Sequence, residues 1–319
     1  MYFPYLRGRQ NELLCLRELL DEGKLKDKVL PIIEPVRCNS TFFSTLKRFV
    51  EEERDIIIIR NPKVGTFKSD YEKLKKKIES EKSTEKKNNL EQKLLEYRTL
   101  VDNPHVIKAY LFDEKKKSKY MSDDLQNVVL INTSNATFDN YVDCGKELIA
   151  KYTLIPKDEE FKDEVFGDVV ALEDGFVKAK RNIDYLGSDD ENFSRNHIVF
   201  GKRGYVGFSD YSIVGDVYEE SGFAPLAVAI HILYFGKREE LRVHHFVSDS
   251  NENIADPARK FEEAMRKLIN WENFNNIYKT YGLNKLIDYY NSGKFPGLGV
   301  IKKYSIMHHL ELMGDYLEK

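Results

Sequence analysis

The chain has 319 residues, of which 41% are hydrophobic and 12% aromatic, and this composition supplies ample material for a large folded core. The formal net charge of −3 excludes a global basic field for nucleic-acid binding but leaves room for a local basic patch. No stretch approaches the roughly 18 apolar residues of a membrane-spanning helix, and no signal-peptide pattern is visible. Three scattered cysteines favour a reducing compartment. A cytoplasmic protein without membrane contact is therefore expected.

Short apolar runs alternate with helical patterns along the first two thirds of the chain. Residues 2–6 precede a helical pattern at 10–20, and residues 29–34 precede one at 40–53, which is the order of a parallel βα sheet. The run DIIIIR at 55–60 is typical of a strand that is buried on both faces. Further strands are predicted at 106–112, 128–132, 152–155, 169–172 and 206–208.

Eight strands in series predict a (β/α)8 barrel of the TIM type, formed by residues 1–217. An open doubly wound sheet is the alternative, but its GxGxxG phosphate-binding signature is missing after the first strand. A charged segment at about 69–99 is predicted as a helical arm inserted after the third strand. Residues 218–319 are predicted as a β-hairpin followed by helices, packed on the barrel. The glycine-rich segment 295–300 within them is interpreted as a loop.

Functional groups of β/α barrels come from the carboxyl ends of the strands, because those ends meet at one mouth. This rule selects three carboxylates as catalytic candidates, Glu34, Glu173 and Asp210, with Asp113 and Asp174 nearby. It selects five cations and amides as ligand-binding candidates: Arg7, Arg9, Arg60, Asn61 and Asn132. Together they suit a phosphate-bearing ligand held by arginine, with carboxylates for proton transfer or for a divalent metal.

Glu34 has an alternative role, because it ends the apolar run LPII and a buried carboxylate needs a partner. A structural salt bridge with an arginine of the mouth competes with catalysis. The polar, glycine-rich segment 182–216 is predicted as a long loop that covers the mouth as a lid.

Two histidines are predicted to face each other across the C-terminal hairpin. With the turn at 236–240, His231 falls opposite His245, and Asp249 lies beyond them. Such a group can bind a transition metal or transfer protons, and packed, hydrogen-bonded histidines are the alternative. The cofactor is therefore left open, with a divalent metal as one candidate.

Five segments resemble a known bacterial family: YFPYLRGRQNELLCLRELL, PIIEPV, GFSDYSIVGD, SGFAPLAVAIH and HHFVSDSNENIADPARKF. They are similar, over nearly the whole chain, to the family known by its locus label as sce "seventy-seven twenty-five", and the first strand-helix-strand unit is more distantly similar to the phage-type beta protein family. The resemblance implies a setting near mobile or phage-defence genes, with a small nuclease-like companion protein as partner. It implies no catalytic residues, but it marks the motif residues Asp210, Asp216, His231, His245, Asp249 and Asp256.

Three functions fit these observations. The first is an enzyme or sensor that acts on a nucleotide or nucleic-acid phosphate ligand at the barrel mouth, in a bacterial defence system. The second is a non-catalytic scaffold or regulator of a nuclease-like partner. The third is a metal-dependent hydrolase that uses the histidine pair. The motifs GxSxG and HExxH are both missing, so whether the protein is an enzyme stays open.

Overall fold

The structure is a computed structural model that describes residues 1–113, 115, 124–144, 148–220 and 224–319. Its strands are, in chain order, β1 Tyr2–Leu6, β2 Ile32–Ile33, β3 Ile56–Ile59, β4 Val106–Leu111, β5 Val128–Ile131, β6 Tyr152–Pro156, β7 Val169–Leu172, β8 Asp190–Ser194, β9 Gly207–Asp210, β10 Ala229–Phe235 and β11 Leu241–Val247. Strands β1 to β7 and β9 are parallel and close into a barrel, and β8, β10 and β11 form a separate sheet. The predicted (β/α)8 barrel is confirmed.

Strict alternation along the strands separates the barrel interior from the layer outside it. In β3, Ile57 and Ile59 point inward, and Ile56 and Ile58 point outward against the helices. The interior is filled by apolar side chains from β1 to β7 and by Tyr211, which follows β9. They include Phe3, Tyr5, Ile32, Ile107, Val129, Leu154 and Val170. Parallel strands with both faces buried require such apolar runs, which explains why β3 is so clear in the sequence.

The helices are α1 Gln10–Asp21, α2 Ser40–Glu51, α3 Phe67–Ser80, α4 Thr84–Val101, α5 Phe138–Cys144, α6 Glu159–Asp163, α7 Asn196–Val199, α8 Pro257–Ile269, α9 Tyr281–Asn291 and α10 Leu298–Leu317. Helices α3 and α4 are the predicted insertion after the third strand. Tyr97 of α4 contacts the rings of Phe42, Phe43 and Phe67. The base of the charged arm is therefore anchored on α2 by an aromatic cluster.

The last helix, α10, is buried on all sides for most of its length. It packs against α1 and β1 on one side and against β10 on the other. Lys303 reaches Glu18 of α1 at 2.6 Å, and Gly299 lies beside Asn11 at the start of α1. A helix that is buried around most of its circumference lies in the interior of a protein, and its polar side chains need internal partners. Helix α10 thus runs parallel to α1 and completes the outer helical layer of the barrel.

The segment 182–216, predicted as a lid, instead contains β8, α7 and β9. Strand β8 pairs antiparallel with β11, with Asp190 opposite His244 and Ser194 opposite Leu241. The lid prediction is therefore wrong. The sequence DENFS of β8 is too short and too polar to indicate a strand, and long-range pairing with the hairpin creates it. Among the described residues, none of the helices has the length and apolar character that crossing a bilayer requires.

Candidate functional site

Glu34 lies in the barrel mouth with every carboxylate oxygen engaged. Its side chain is 1% exposed. The Tyr5 hydroxyl donates to it at 2.8 Å, the Lys63 backbone N–H donates at 2.7 Å, and the Arg7 guanidinium forms an ion pair with it. Burial raises the pKa of Tyr5 well above its usual value, and the Glu34 charge adds to that shift. The structural salt bridge is therefore present, and a catalytic role for Glu34 stays a prediction.

Arg7 is held between two aromatic rings. Its guanidinium lies 5.0 Å from the ring centroid of Tyr5 and 5.2 Å from that of Tyr211, and it also donates to the Asp216 carbonyl. These contacts fix the planar group in one orientation. Gly8 follows with a φ of 61°, which lets the chain turn sharply between Arg7 and Arg9. Arg7 is thus a structural element of the mouth.

The two amides of the predicted site lie at the ends of β3 and β5, the two strands that flank β4 in the barrel. Asn61 exchanges two hydrogen bonds of 2.8 Å with the backbone of Leu111, and so joins the end of β3 to β4. Asn132 accepts a hydrogen bond from the Thr137 hydroxyl at 3.2 Å. The Nδ2 atom of Asn132 is buried and has no hydrogen-bond partner among the described residues.

Arg60 and Glu173 lie on the outer surface of the barrel. Arg60 donates to the Val101 carbonyl of α4 at 3.4 Å, and Glu173 contacts Lys157 at 3.0 Å and Asn196 at 2.8 Å. Because Ile59 and Leu172 point inward, the next residue of each strand points outward. The expected convergence of these two residues on the mouth is wrong.

Asp210 also lies outside the barrel, buried beneath α10. The Tyr2 hydroxyl and the Ser212 backbone N–H donate to it at 2.8 Å, and His309 of α10 lies 4.0 Å away. Burial raises the pKa of this carboxyl to about 7. Asp210 therefore belongs to a closed polar network between the barrel wall and the last helix, and its predicted place at the mouth is wrong.

The structure brings two of the three candidate metal ligands together. His231 lies opposite His245, as predicted, and their Nδ1 atoms are 2.7 Å apart. Asp249 instead pairs with Lys267 at 2.7 Å. Among the described residues, no three histidine, cysteine or carboxylate side chains are grouped as metal ligands. The third neighbour of the pair is Glu191, which sequence reasoning missed because β8 was not predicted.

A cavity of about 650 Å³ lies beside the mouth, between the segment after β7, the segment before β10 and the first turns of α10. We call it the α10 cavity. Its polar wall contains Lys178, Arg181, His231, Lys302 and Ser305, and its apolar wall contains Pro225, Leu226 and Leu298. A smaller cavity of about 110 Å³ adjoins it and is lined in part by Arg7, Arg9, Lys178 and Lys302. Arg7 and Arg9 are thus the predicted ligand-binding residues that line this concave surface.

The electrostatic character of the α10 cavity is set by Lys302. Burial lowers the pKa of its ammonium; Glu12 opposes that shift, and Arg9 and Lys178 add to it. Burial likewise raises the pKa of Glu12, against the field of Lys302. The charged residues that line the cavity are the cations Lys178, Lys180, Arg181 and Lys302 and the carboxylate Glu219, which pairs with Lys178 at 2.8 Å. An anionic ligand would therefore be stabilised there.

Ser305 follows Lys302 by one turn of α10 and lines the same wall. Its side chain is 1% exposed, and its Oγ has no hydrogen-bond partner among the described residues. A buried hydroxyl without a partner costs free energy. The cavity thus contains a donor that no described protein group uses.

The first turn of α10 begins at the edge of the cavity, where Leu298 is a lining residue. Gly297 is the N-cap, it provides no side-chain cap, and the first turn contains no acidic residue. The first N–H groups of the helix and its positive end are therefore not offset by protein carboxylates. The segment 295–300, interpreted as a loop, is already helical from Leu298. The sequence signal for this helix start was weak, because Gly297 provides no side-chain cap and Pro296 precedes the N-cap instead of occupying the first helical position.

The fold and this cavity define a (β/α)8 barrel with a cationic cavity beside its mouth, bounded by its last helix. No protein-family model, no curated protein and no solved structure matches the chain. The family membership expected from the motif segments stays a prediction.

Proposed function

We propose that this protein binds a phosphate-bearing ligand, a nucleotide or a nucleic-acid end, in the α10 cavity. The observation that carries the proposal is the presence of a buried, unpartnered Ser305 hydroxyl one turn from Lys302 in the same cavity wall. Phosphate oxygens accept hydrogen bonds from hydroxyl groups and are attracted by ammonium groups and helix N-termini. In many β/α barrels the loops after the last two strands and the N-terminus of an additional helix form a phosphate site.

The opposite wall of the cavity favours a ligand with an apolar ring as well as a phosphate. Leu226 and Leu298 are large apolar residues that stay substantially exposed there, and Pro225 lies beside them. A nucleobase could stack on this surface while its phosphate contacts the polar wall. We retain the setting that the resemblance implies, a bacterial defence system with a nuclease-like companion protein, as part of the proposal.

Lys302→Gln is expected to weaken phosphate binding by roughly 10-fold to 100-fold, because charge-assisted hydrogen bonds contribute about 1.5–3 kcal/mol. Ser305→Ala is expected to weaken it several-fold, through the loss of one neutral donor. The dissociation constants of inorganic pyrophosphate and of ADP would be measured by calorimetry for each variant.

The matched control is Lys294→Gln, which removes the same charge from an exposed residue outside the cavity. It is expected to leave both dissociation constants within about twofold, because exposed charges are screened by salt. Equal affinities for the Lys302 and Lys294 variants would refute the proposed site.

A further inference from the structure

A chain of three polar side chains from three strands begins at the wall of the α10 cavity, which only its first member, His231, lines. His231 of β10 contacts His245 of β11 through the two Nδ1 atoms, 2.7 Å apart. The other ring nitrogen of His245, Nε2, lies 3.6 Å from Glu191 Oε2 of β8. Both of these atoms are buried and neither has a hydrogen-bond partner among the described residues, so the contact between them is an ion-pair contact. The sheet therefore aligns a carboxylate and two imidazoles in series.

The carboxylate determines which nitrogen of each ring carries a proton. An ionised Glu191 can only accept, so the proton of His245 is stabilised on Nε2, and its Nδ1 is left as an acceptor. The hydrogen bond between the rings then requires a proton on His231 Nδ1. His231 Nε2 is left with an unshared electron pair.

His231 is the member of this chain that reaches the ligand cavity. It lines the α10 cavity together with Lys302 and Ser305. Its ring is held edge-on by Tyr185 and Phe176, with centroid distances of 4.8 Å and 5.1 Å. A fixed ring with a known tautomer is the arrangement in which histidine exchanges protons most effectively.

We propose that His231 is the proton-accepting group of the α10 cavity, and that His245 and Glu191 are positioning residues that fix its tautomer. The proton leaves an O–H group of the bound ligand or of an adjacent water and binds to Nε2, and the bonding pair stays on that oxygen. This inference rests on the proposed function, because it requires an anionic ligand in the cavity.

The charges around the chain make this exchange dependent on the ligand. Burial lowers the pKa of His231 well below its usual value, and His245 and Lys302 lower it further. For His245, burial lowers the pKa and Glu191 opposes the shift, while the neighbouring charges of His244 and Asp190 act in opposite directions. An anion beside Lys302 offsets the positive field at His231 and stabilises a proton on Nε2.

The test is nitrogen-detected NMR of the protein labelled with 15N-histidine, with inorganic sulfate as the probe, since the charge of sulfate is constant between about pH 5 and 8. In the free protein at neutral pH, His231 is expected as the Nδ1–H tautomer. Saturating sulfate is expected to raise the proton affinity of His231 roughly tenfold. Glu191→Gln is expected to introduce the Nε2–H tautomer of His231. An amide can donate to His245 Nε2, which moves the His245 proton to Nδ1 and makes His231 Nδ1 the acceptor.

The control is His105→Gln at the amino end of the barrel, where His105 pairs with Asp55 at 2.9 Å. This variant is expected to leave the His231 signals unchanged. If sulfate shifts the backbone resonances of Lys302 and Ser305 but not the proton affinity of His231, the inference is overturned and the proposed function stands. If His231 of the free protein is the Nε2–H tautomer, the inference is overturned and the proposed function is unaffected. The absence of any sulfate-induced shift overturns both.

Discussion

Glu34→Gln is expected to lower the free energy of unfolding by about 3–5 kcal/mol, because it leaves the buried Arg7 guanidinium without its counter-charge. Glutamine keeps the shape of glutamate, and its single amide oxygen can still accept from the Lys63 N–H. The amide NH2 group replaces the oxygen that accepts from Tyr5 and Arg7. The loss therefore reports the missing charge and its hydrogen bonds rather than a cavity. Urea unfolding monitored by circular dichroism measures it.

The control for this prediction is Glu173→Gln, the same replacement in a carboxylate that is 36% exposed and paired with Lys157. It is expected to cost less than about 1 kcal/mol, because exposed ion pairs are screened by water. The double variant Arg7→Met with Glu34→Gln should recover part of the lost stability, since no unpaired charge remains. Equal losses for the Glu34 and Glu173 variants would contradict the buried ion pair.

The difference in the free energy of unfolding between the Asp210→Asn variant and the native protein is expected to change with pH. Between pH 4 and pH 8 it should shift by roughly 4 kcal/mol in favour of the variant. The reason is that the pKa of Asp210 is raised to about 7 by burial, whereas an unfolded aspartic acid loses its proton near pH 4. The native state therefore retains a proton that the unfolded chain has released. Native stability contributed by this group is present below pH 4 and is lost as the pH rises to 7.

The neighbouring histidines act in the opposite direction. Burial lowers the pKa of His308 to about 4 and that of His309 to about 3, so the unfolded chain binds protons there first as the pH falls below about 6.5. Their contribution to stability is present near neutral pH and is lost in acid. Comparing Asp210→Asn with the native protein at each pH cancels the contributions that do not depend on the Asp210 charge, whereas that of His309, 4.0 Å from Asp210, is measured together with it.

Thermal unfolding of both proteins between pH 4 and 8 provides the measurement. The amide oxygen of the Asp210→Asn variant could still accept from Tyr2 and from the Ser212 N–H, so the two proteins should have similar stability near pH 4. The exposed Asp249→Asn, paired with lysine at the surface, is expected to show no such trend. If the difference in unfolding free energy between the native protein and the Asp210→Asn variant does not change with pH, burial does not raise the pKa of Asp210 and the prediction is wrong.

The barrel could be predicted because its signals are local. Each strand is a short apolar run, each run is followed by a helical pattern, and the run at Ile56–Ile59 has no alternative to a doubly buried strand. The signals for the helical arm and for the hairpin were also local. Charge periodicity predicts the arm, and a polar turn between two apolar runs predicts the hairpin. The pairing of His231 with His245 followed from the turn length alone.

The mouth was predicted only in part, because a shift of one residue along a strand reverses the direction of a side chain. Glu34 and Arg7 fall on the inward positions and meet. Arg60 and Asp210 are each adjacent to an inward-facing residue, and so they point outward into the helical layer. A sequence pattern locates the end of a strand with an error of more than one residue, so it cannot decide whether a side chain at the strand end points inward or outward.

The order of strands and helices, and hence the barrel, was determined by the sequence through periodic patterns that each lie within about 20 residues. The α10 cavity was decided by the tertiary structure. Its walls join Lys178, His231 and Lys302, which are far apart in the chain, and its third wall exists only because α10 returns to pack beside α1. The same long-range packing brings Glu191 to His245. Local hydrophobic periodicity specifies elements, whereas a site made of polar groups depends on which distant elements bury their surfaces together.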